Sequence, residues 1–243
     1  LACKLLILKQ LKSDCLIIVN HDDEYASYFE EKNAKTLGYH GKDYQIINYE
    51  DTINGTKITF QMKDVTYEIE TNLKSEFNVY NYLTSFALVH NLGFTPEEIF
   101  KVTKEVMPPR GRCEALKVGS GIAVIDYAHT PDAVEKIINA FSNPNKGRII
   151  TLVGCGGDWD PIKRPIMGRI ASEKSDYVIF TNDNPRTEDP ENIMKDILNG
   201  VKKENYEVIM DRKDAIKKGL SMLEENDVFL ILGKGHEDYQ ILG

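Results

Sequence analysis

Cysteine is scarce in this chain. Its 243 residues hold four, Cys3, Cys15, Cys113 and Cys155, scattered and without a CxxC pair. That spacing argues against a zinc knuckle, a dithiol redox motif or a disulfide framework, and it suits reduced thiols in a cytoplasm. Long apolar runs are missing too. None approaches the ~20 residues needed to cross a bilayer, and the opening "LACKLLILKQLKSD" is too interrupted by lysine to be a signal h-region. An initiator methionine is absent, as it would be in a fragment. Positive charge is not in excess: the net charge of −8 offers no general attraction to nucleic acid or an anionic membrane, so any anion site must be local. There is one tryptophan, Trp159, and no internal repeat or low-complexity segment. What remains is a globular composition, 42% hydrophobic and 28% charged, long enough for one large or two moderate domains.

The pattern along the chain divides it into 1–107 and 108–243. In the first part, "CLIIVN" (15–20) reads as a buried strand and "HDDEYASYFEEK" as an acidic helix start capped by Asp22 and Asp23. Residues 44–71 are short β-branched segments separated by "NG" at 54–55 and "KD" at 63–64, the pattern of an antiparallel meander. Two helices follow, one closed by Gly93 and one opened by Thr95 with Pro96 in its first turn. "MPPRGR" (107–112) reads as a linker. Beyond it, "GIAVID", "RIITLV", "DYVIFT", "YEVIM" and "DVFLIL" alternate with helical stretches, predicting an α/β sheet. In the first of those helices Thr130 is the cap, and Val134, Ile137, Ile138 and Phe141 form the buried face. The chain stops at "QILG" with no helix to cover its last strand, which points to truncation there.

Ligands of open α/β sheets gather outside the carboxyl ends of the strands, and four of these five ends are chemically unusual. Asp126 and His129 follow the first strand; Gly154, Gly156 and Gly157, then Arg164, follow the second; "TNDNPR" follows the third and "GKGHEDYQ" the last. The glycines would permit positive φ and could turn amides toward an anion, or they only make tight turns. "GKGHE" lacks the GxxxxGK[ST] spacing and is no Walker A loop. His129 reads as a turn-stabilising or nucleotide-contacting residue rather than a general base or metal ligand. Trp159 either stacks on a base or covers its loop. Arg186, on a rigid post-proline turn, has the fork geometry to clamp a carboxylate, as does Arg164. Glu237 facing the same crevice would accept an ammonium, so the set would recognise a zwitterionic amino-acid end. The competing reading pairs the arginines with Glu188 or Asp189.

The ordered motifs "FNVYN", "GRCE", "DYAHTPDA", "GCGGDWDPIKRPIMG", "TNDNPRTEDP" and "GKGHEDYQI" together resemble the Mur ligase family, and "LIIVNHDDEYASYF" extends the likeness over almost the whole chain. The resemblance is to the branch that adds the third residue of the peptidoglycan stem peptide. It implies an α/β fold: a Rossmann-like C-terminal ligase domain with a mostly parallel sheet, preceded by the latter part of a central ATP-binding domain. It implies a cytoplasmic, ATP- and Mg2+-dependent ligation of meso-diaminopimelate to UDP-N-acetylmuramoyl-L-alanyl-D-glutamate through an acyl phosphate. By the same likeness Asp183, Asn184, Pro185 and Arg186 belong to the diamino-acid recognition motif, with Asn184 and Arg186 on the distal carboxylate. Arg164, Gly233 and Glu237 complete that pocket, and Glu237 with the Gly233 carbonyl receives the distal ammonium. Arg112, Asp126 and His129 lie near the nucleotide, with Asn78 or Asn81 on its adenine side.

The resemblance assigns no catalytic or metal-binding residue to this stretch. The family's phosphate loop, its carbamylated lysine and its uridine-nucleotide domain belong upstream of Leu1, so the chain alone is expected not to turn over ATP. It also carries Trp159-Asp160-Pro161-Ile162 where relatives commonly have more basic residues. The alternative is a non-catalytic amino-acid or nucleotide-binding module. A phosphate-loop sequence ahead of this segment separates the two readings. Neither nucleic acid nor membrane is an expected partner, and oligomeric state is not legible.

Overall fold

The computed structural model describes residues 1–12, 15–30, 34–52, 55–142 and 147–241. It divides into two compact units, Leu1–Met107 and Pro108–Gly243.

The first unit opens with a short helix α1 (Ala2–Leu5) and a 3-10 turn, Leu6–Gln10. Its sheet runs in sequence order: β1 (Ile17–Asn20), β2 (Ala34–Gly38), β3 (Tyr44–Asp51), β4 (Thr56–Met62) and β5 (Val65–Thr71). The first two pairings are parallel and the last two antiparallel. Every second residue of β4 is buried, the period-2 signature of a strand with one face on the core. Helices α2 (Glu76–Asn91) and α3 (Pro96–Thr103) cover that face, where Ile46, Ile58 and Phe60 meet Val79, Leu83 and Phe86. Thr95 caps α3 in a reciprocal capping box with Glu98. Asn54 of the expected "NG" turn lies outside the described residues.

The acidic helix expected after β1 does not form. Among the described residues a 3-10 turn, Ala26–Tyr28, stands there. Asp22 is drawn away from a capping role because its carboxylate accepts from the amides of Tyr39 (2.6 Å) and His40 (3.1 Å) and from the Tyr80 hydroxyl (2.8 Å). It ties the end of β2 to α2 instead. Asp23 closes a local turn onto the Tyr25 amide.

The second unit is a six-stranded sheet. Its elements are β6 (Glu114–Val118), β7 (Gly121–Asp126), α4 (Pro131–Phe141), β8 (Ile149–Val153), α5 (Lys163–Lys174), β9 (Tyr177–Phe180), α6 (Pro190–Leu198), β10 (Tyr206–Val208), α7 (Arg212–Ser221) and β11 (Val228–Leu232). The order is β10-β9-β8-β11-β7-β6, parallel throughout except for the hairpin of β6 with β7. All five residues of β8 are buried, as a central parallel strand requires. On α4, Thr130 accepts from the Ala133 amide, and Val134, Ile137, Ile138 and Phe141 are buried. β6 escaped the sequence reading because it is a short edge strand without buried residues. Parallel register brings the carboxyl ends of β9, β8, β11 and β7 to one edge, where Thr181 donates to Val153 O and Gly233 to Asp126 O. No helix of the described residues is long and apolar enough to cross a membrane.

Candidate functional site

The loop leaving β9 and the glycine loop leaving β8 are pressed together. A Cβ on Gly154 would lie 2.2 Å from Thr181 O, and one on Gly157 would lie 1.9 Å from Pro185 O. The Gly157 amide donates to Asn184 O at 2.9 Å. These glycines therefore permit close backbone approach, not left-handed φ, which none of Gly154, Gly156 and Gly157 adopts. The expectation that the loop turns its amides toward an anion is corrected at Gly157, whose N–H is spent on the neighbouring loop.

Arg186 itself takes the left-handed conformation, φ 54°, and its amide donates to Ile241 O. That turn sends the guanidinium back over the glycine loop, where Nη1 donates to Gly157 O at 2.8 Å. The guanidinium carbon sits 5.6 Å from the centre of the Trp159 ring, which is 62% exposed. Trp159 thus covers Arg186, and the rest of the fork keeps donors for a ligand.

Asn184 is the junction with the β11 loop. Its Nδ2 donates to Glu237 Oε2 (3.3 Å), while its Oδ1 accepts from Lys234 Nζ (2.9 Å) and the Ile241 amide (3.0 Å). Lys234 Nζ also reaches Glu237 Oε2 at 3.0 Å, and Tyr127 Oη donates to Glu237 Oε1 at 3.2 Å. Burial disfavours charge on Glu237, but Lys234, Tyr127 and Asn184 together outweigh it and hold the carboxyl below its usual range. Gly233 has φ 110°, and a Cβ there would stand 2.6 Å from Asp183 Oδ2, so only glycine leaves room for the buried Asp183 beside it.

Arg164 is placed differently from expectation. Its side chain is 3% exposed and pairs with Glu188 (2.8 Å) and Asp196 (2.9 Å), with a longer contact to Gly156 O (3.5 Å). It braces the glycine loop from behind, which corrects the picture of a second ligand-facing clamp. The pairing with Glu188 was the competing reading; Asp196 was not foreseen.

Around β7, Asp126 uses both oxygens on backbone, accepting from Cys113 N and Ala128 N at 2.8 Å each. It shapes the turn that displays His129, whose Nδ1 meets Tyr127 O at 2.8 Å. Arg112 lies 4.7 Å over the Tyr127 ring, and His129 and His236 also pack on that ring. The result is a basic, aromatic surface. Asn78 and Asn81 belong to α2 of the other unit, where Asn81 Nδ2 donates to Asn78 Oδ1 at 3.0 Å. Asn78 in turn donates to Lys74 O.

Three residues of the site were given no place in it from sequence: Tyr127, Arg212 and Lys234, the last weighed only as the lysine of a phosphate loop. Arg212 is buried and donates to Leu232 O (2.9 Å) and Asn182 O (3.5 Å), tying the ends of β11 and β9. Tyr127 had a signal, its place directly after Asp126. Lys234 had one too, since it precedes Glu237 by three residues, but its partner Asn184 is 50 residues away. Among the described residues no group of three His, Cys, Asp or Glu side chains is placed to hold a metal ion.

Residues 111–235 match the Mur ligase, glutamate ligase domain, and residues 1–89 match the Mur ligase middle domain. The chain belongs to the Mur ligase family. It is 40% identical, over 247 residues, to UDP-N-acetylmuramoyl-L-alanyl-D-glutamate–2,6-diaminopimelate ligase 1 of Clostridium acetobutylicum, covering 99% of this chain and 51% of that protein. A ligase of the same description from Aquifex aeolicus is 40% identical over 226 residues, covering 92% of this chain and 47% of that protein. The solved structure of a UDP-N-acetylmuramoyl-L-alanyl-D-glutamate–2,6-diaminopimelate ligase superposes with a TM-score of 0.64 at 29% identity, over 93% of this chain and 49% of that one. MurF ligase from Thermotoga maritima, solved in complex with ADP, shares the fold at a TM-score of 0.73 and 17% identity, over 94% of this chain and 52% of that one. The chain thus spans about half the length of the Mur ligases it matches.

Proposed function

We propose that this chain is the portion of a UDP-N-acetylmuramoyl-L-alanyl-D-glutamate–2,6-diaminopimelate ligase that selects the incoming diamino acid. The observation that carries this reading is the docking of the "DNPR" turn on the "GKGHE" turn through Asn184, Lys234 and Glu237. It sets amide and guanidinium donors beside an ionised acceptor, the complement of a distal carboxylate and ammonium. Arg186 and Asn184 hold the carboxylate; Glu237 and the Gly233 carbonyl hold the ammonium. Asp183 lines the same crevice, and Arg164 supports it.

In the reaction so proposed, ATP transfers its γ-phosphoryl group to the free carboxylate of UDP-N-acetylmuramoyl-L-alanyl-D-glutamate. The amine of diaminopimelate attacks the acyl carbon, and phosphate leaves with the bonding pair from the tetrahedral intermediate. Binding energy from the distal end fixes the attacking amine in place. In the second unit the surface of Arg112, Tyr127 and His129, shaped by Asp126, is proposed to contact the nucleotide; in the first unit, taken by itself, Asn78 or Asn81 is proposed as an adenine contact. The complex of MurF with ADP supports ATP as the nucleotide. Among the described residues no group of three His, Cys, Asp or Glu side chains could hold a magnesium ion by itself, so Mg2+ is proposed to accompany ATP in the full-length enzyme. A cytoplasmic setting follows from the nucleotide-linked substrates.

A ligation assay on the full-length protein with a panel of diamino acids tests this. The expected order is meso-diaminopimelate, with its isostere lanthionine close behind, far ahead of lysine. Equal use of lysine and diaminopimelate overturns the assignment. Arg186→Ala should raise KM for diaminopimelate by about 30- to 100-fold, the worth of a charge-assisted contact, and leave KM for ATP within about twofold.

A further inference from the structure

Lys234 is a buried cation, 6% exposed, in a chain whose lysines are mostly solvated. An ammonium has three donors and no acceptor. Two of them are used inward, on Asn184 Oδ1 at 2.9 Å and Glu237 Oε2 at 3.0 Å, and the group stands 5.2 Å from the centre of the Tyr239 ring. So placed, Lys234 directs two of its three donors into the protein.

Its effect falls on Asn184. A side-chain amide can face either way, and which atom meets which neighbour depends on what those neighbours can do. Lys234 Nζ and the Ile241 amide are both pure donors, so the atom between them must be oxygen. Nδ2 is thereby turned to Glu237, with its second hydrogen left for a ligand acceptor. Were the amide reversed, an oxygen would face the ligand's carboxylate and repel it. Glu237 is treated similarly, since Lys234 favours its ionised form and Tyr127 fixes its other oxygen. Other charged groups face this cluster: Arg212 acts on Glu237 and Asp183 at longer range, and Arg112 lies over the Tyr127 ring.

We infer that Lys234 is a positioning residue that sets the donor and acceptor polarity of the amino-acid pocket, turning Asn184 to present an N–H and holding the Glu237 carboxylate in place at 3.0 Å. The inference rests on the functional reading above and deepens it. It assigns Lys234 no contact with substrate and no part in phosphoryl transfer.

The test uses the full-length enzyme with Lys234→Met and Lys234→Gln. The methionine variant removes donor and charge; the glutamine variant returns a donor for Asn184 without the charge, and protects against a loss of folding. For Lys234→Met, KM for diaminopimelate is expected to rise roughly tenfold or more, with KM for ATP changed less than about twofold. Lys234→Gln should fall between this and the unmodified enzyme. In both, the acid limb of kcat/KM for diaminopimelate should move to higher pH, because Glu237 loses the neighbour that favours its charge. Equal changes in both KM values, no change in either, or an unmoved acid limb overturns the inference. The unmodified enzyme separates the two levels. If it does not use diaminopimelate the functional reading fails, whereas use that is indifferent to Lys234 defeats only the inference.

Discussion

Two arginines that look alike in the sequence do different work in the fold. Arg186 lies half-buried with one nitrogen anchored on Gly157 O, free to offer the rest of its fork. Arg164 is committed: Glu188 and Asp196 hold its two terminal nitrogens, and its Nε is buried without a hydrogen-bond partner among the described residues. The hydrogen bond it donates to Glu188, with that to Asp196, favours the charged guanidinium more than burial disfavours it. Both acids are partly exposed, so the pair is worth less than a fully buried one. Arg164→Met should cost about 2 kcal/mol, with the methionine filling the space left by the stem. Urea titration followed by circular dichroism would measure it, and no loss of midpoint would show that the ion pairs contribute nothing. Because Glu188 also receives the Asp158 amide, the substitution should loosen the glycine loop under Arg186. Its effect on diaminopimelate use is then indirect and smaller than that of Arg186→Ala.

At the scale of elements, α4 joins stability to the displayed turn of Tyr127 and His129. Its first turn depends on Thr130, so Thr130→Ala should destabilise the second unit by about 1 kcal/mol while leaving KM for diaminopimelate unchanged. A thermal melt and a steady-state assay on the same preparation check the two halves of that statement. α4 was fully legible in the sequence, because cap, proline and apolar period all agree. So was the meander, whose alternation survives in the burial of β4. β6, a short strand at a sheet margin, and β2, an interior strand of only five residues, were not, since neither carries an alternation long enough to show. The helix expected after β1 failed for a different reason. Asp22 finds the amides of Tyr39 and His40, and a local cap signal loses to contacts made 17 and 18 residues away. The site divides in the same way. Asn184, Arg186 and Glu237 stand at strand ends, where chemistry draws the eye, while Lys234 and Arg212 matter through partners in space.

For the whole molecule, the excess of acid gives a prediction about pH. Each unit holds carboxylates that fold into dense hydrogen bonding. In the first unit Asp43 accepts from Thr36 N and Lys35 Nζ, both at 2.9 Å. In the second, Asp227 accepts from Arg148 N (2.7 Å), Arg148 Nη2 (2.7 Å) and Glu224 N (3.0 Å). For both, burial opposes the charge, yet the bonds together prevail and the carboxyls lie below their ordinary value. A folded pKa below the unfolded one gives stability that is present above the unfolded pKa, about 3.9 for Asp, and is lost as pH falls through the folded value. The urea midpoint should therefore stay level from pH 7 to about 5 with respect to these groups and drop steeply below about 4. Asp227→Asn should lower the midpoint at pH 7 and flatten the acid decline of the second unit, because the amide has no proton to gain. Asp43→Asn should do the same for the first unit. Each unit can be followed by its own probe, Trp159 fluorescence for the second and tyrosine-dominated near-ultraviolet circular dichroism for the first, which contains no tryptophan. If the acid decline of the second unit is as steep in Asp227→Asn as in the unmodified chain, its acid sensitivity resides in other carboxylates, and the anchoring of β11 by Asp227 is not what acid undoes.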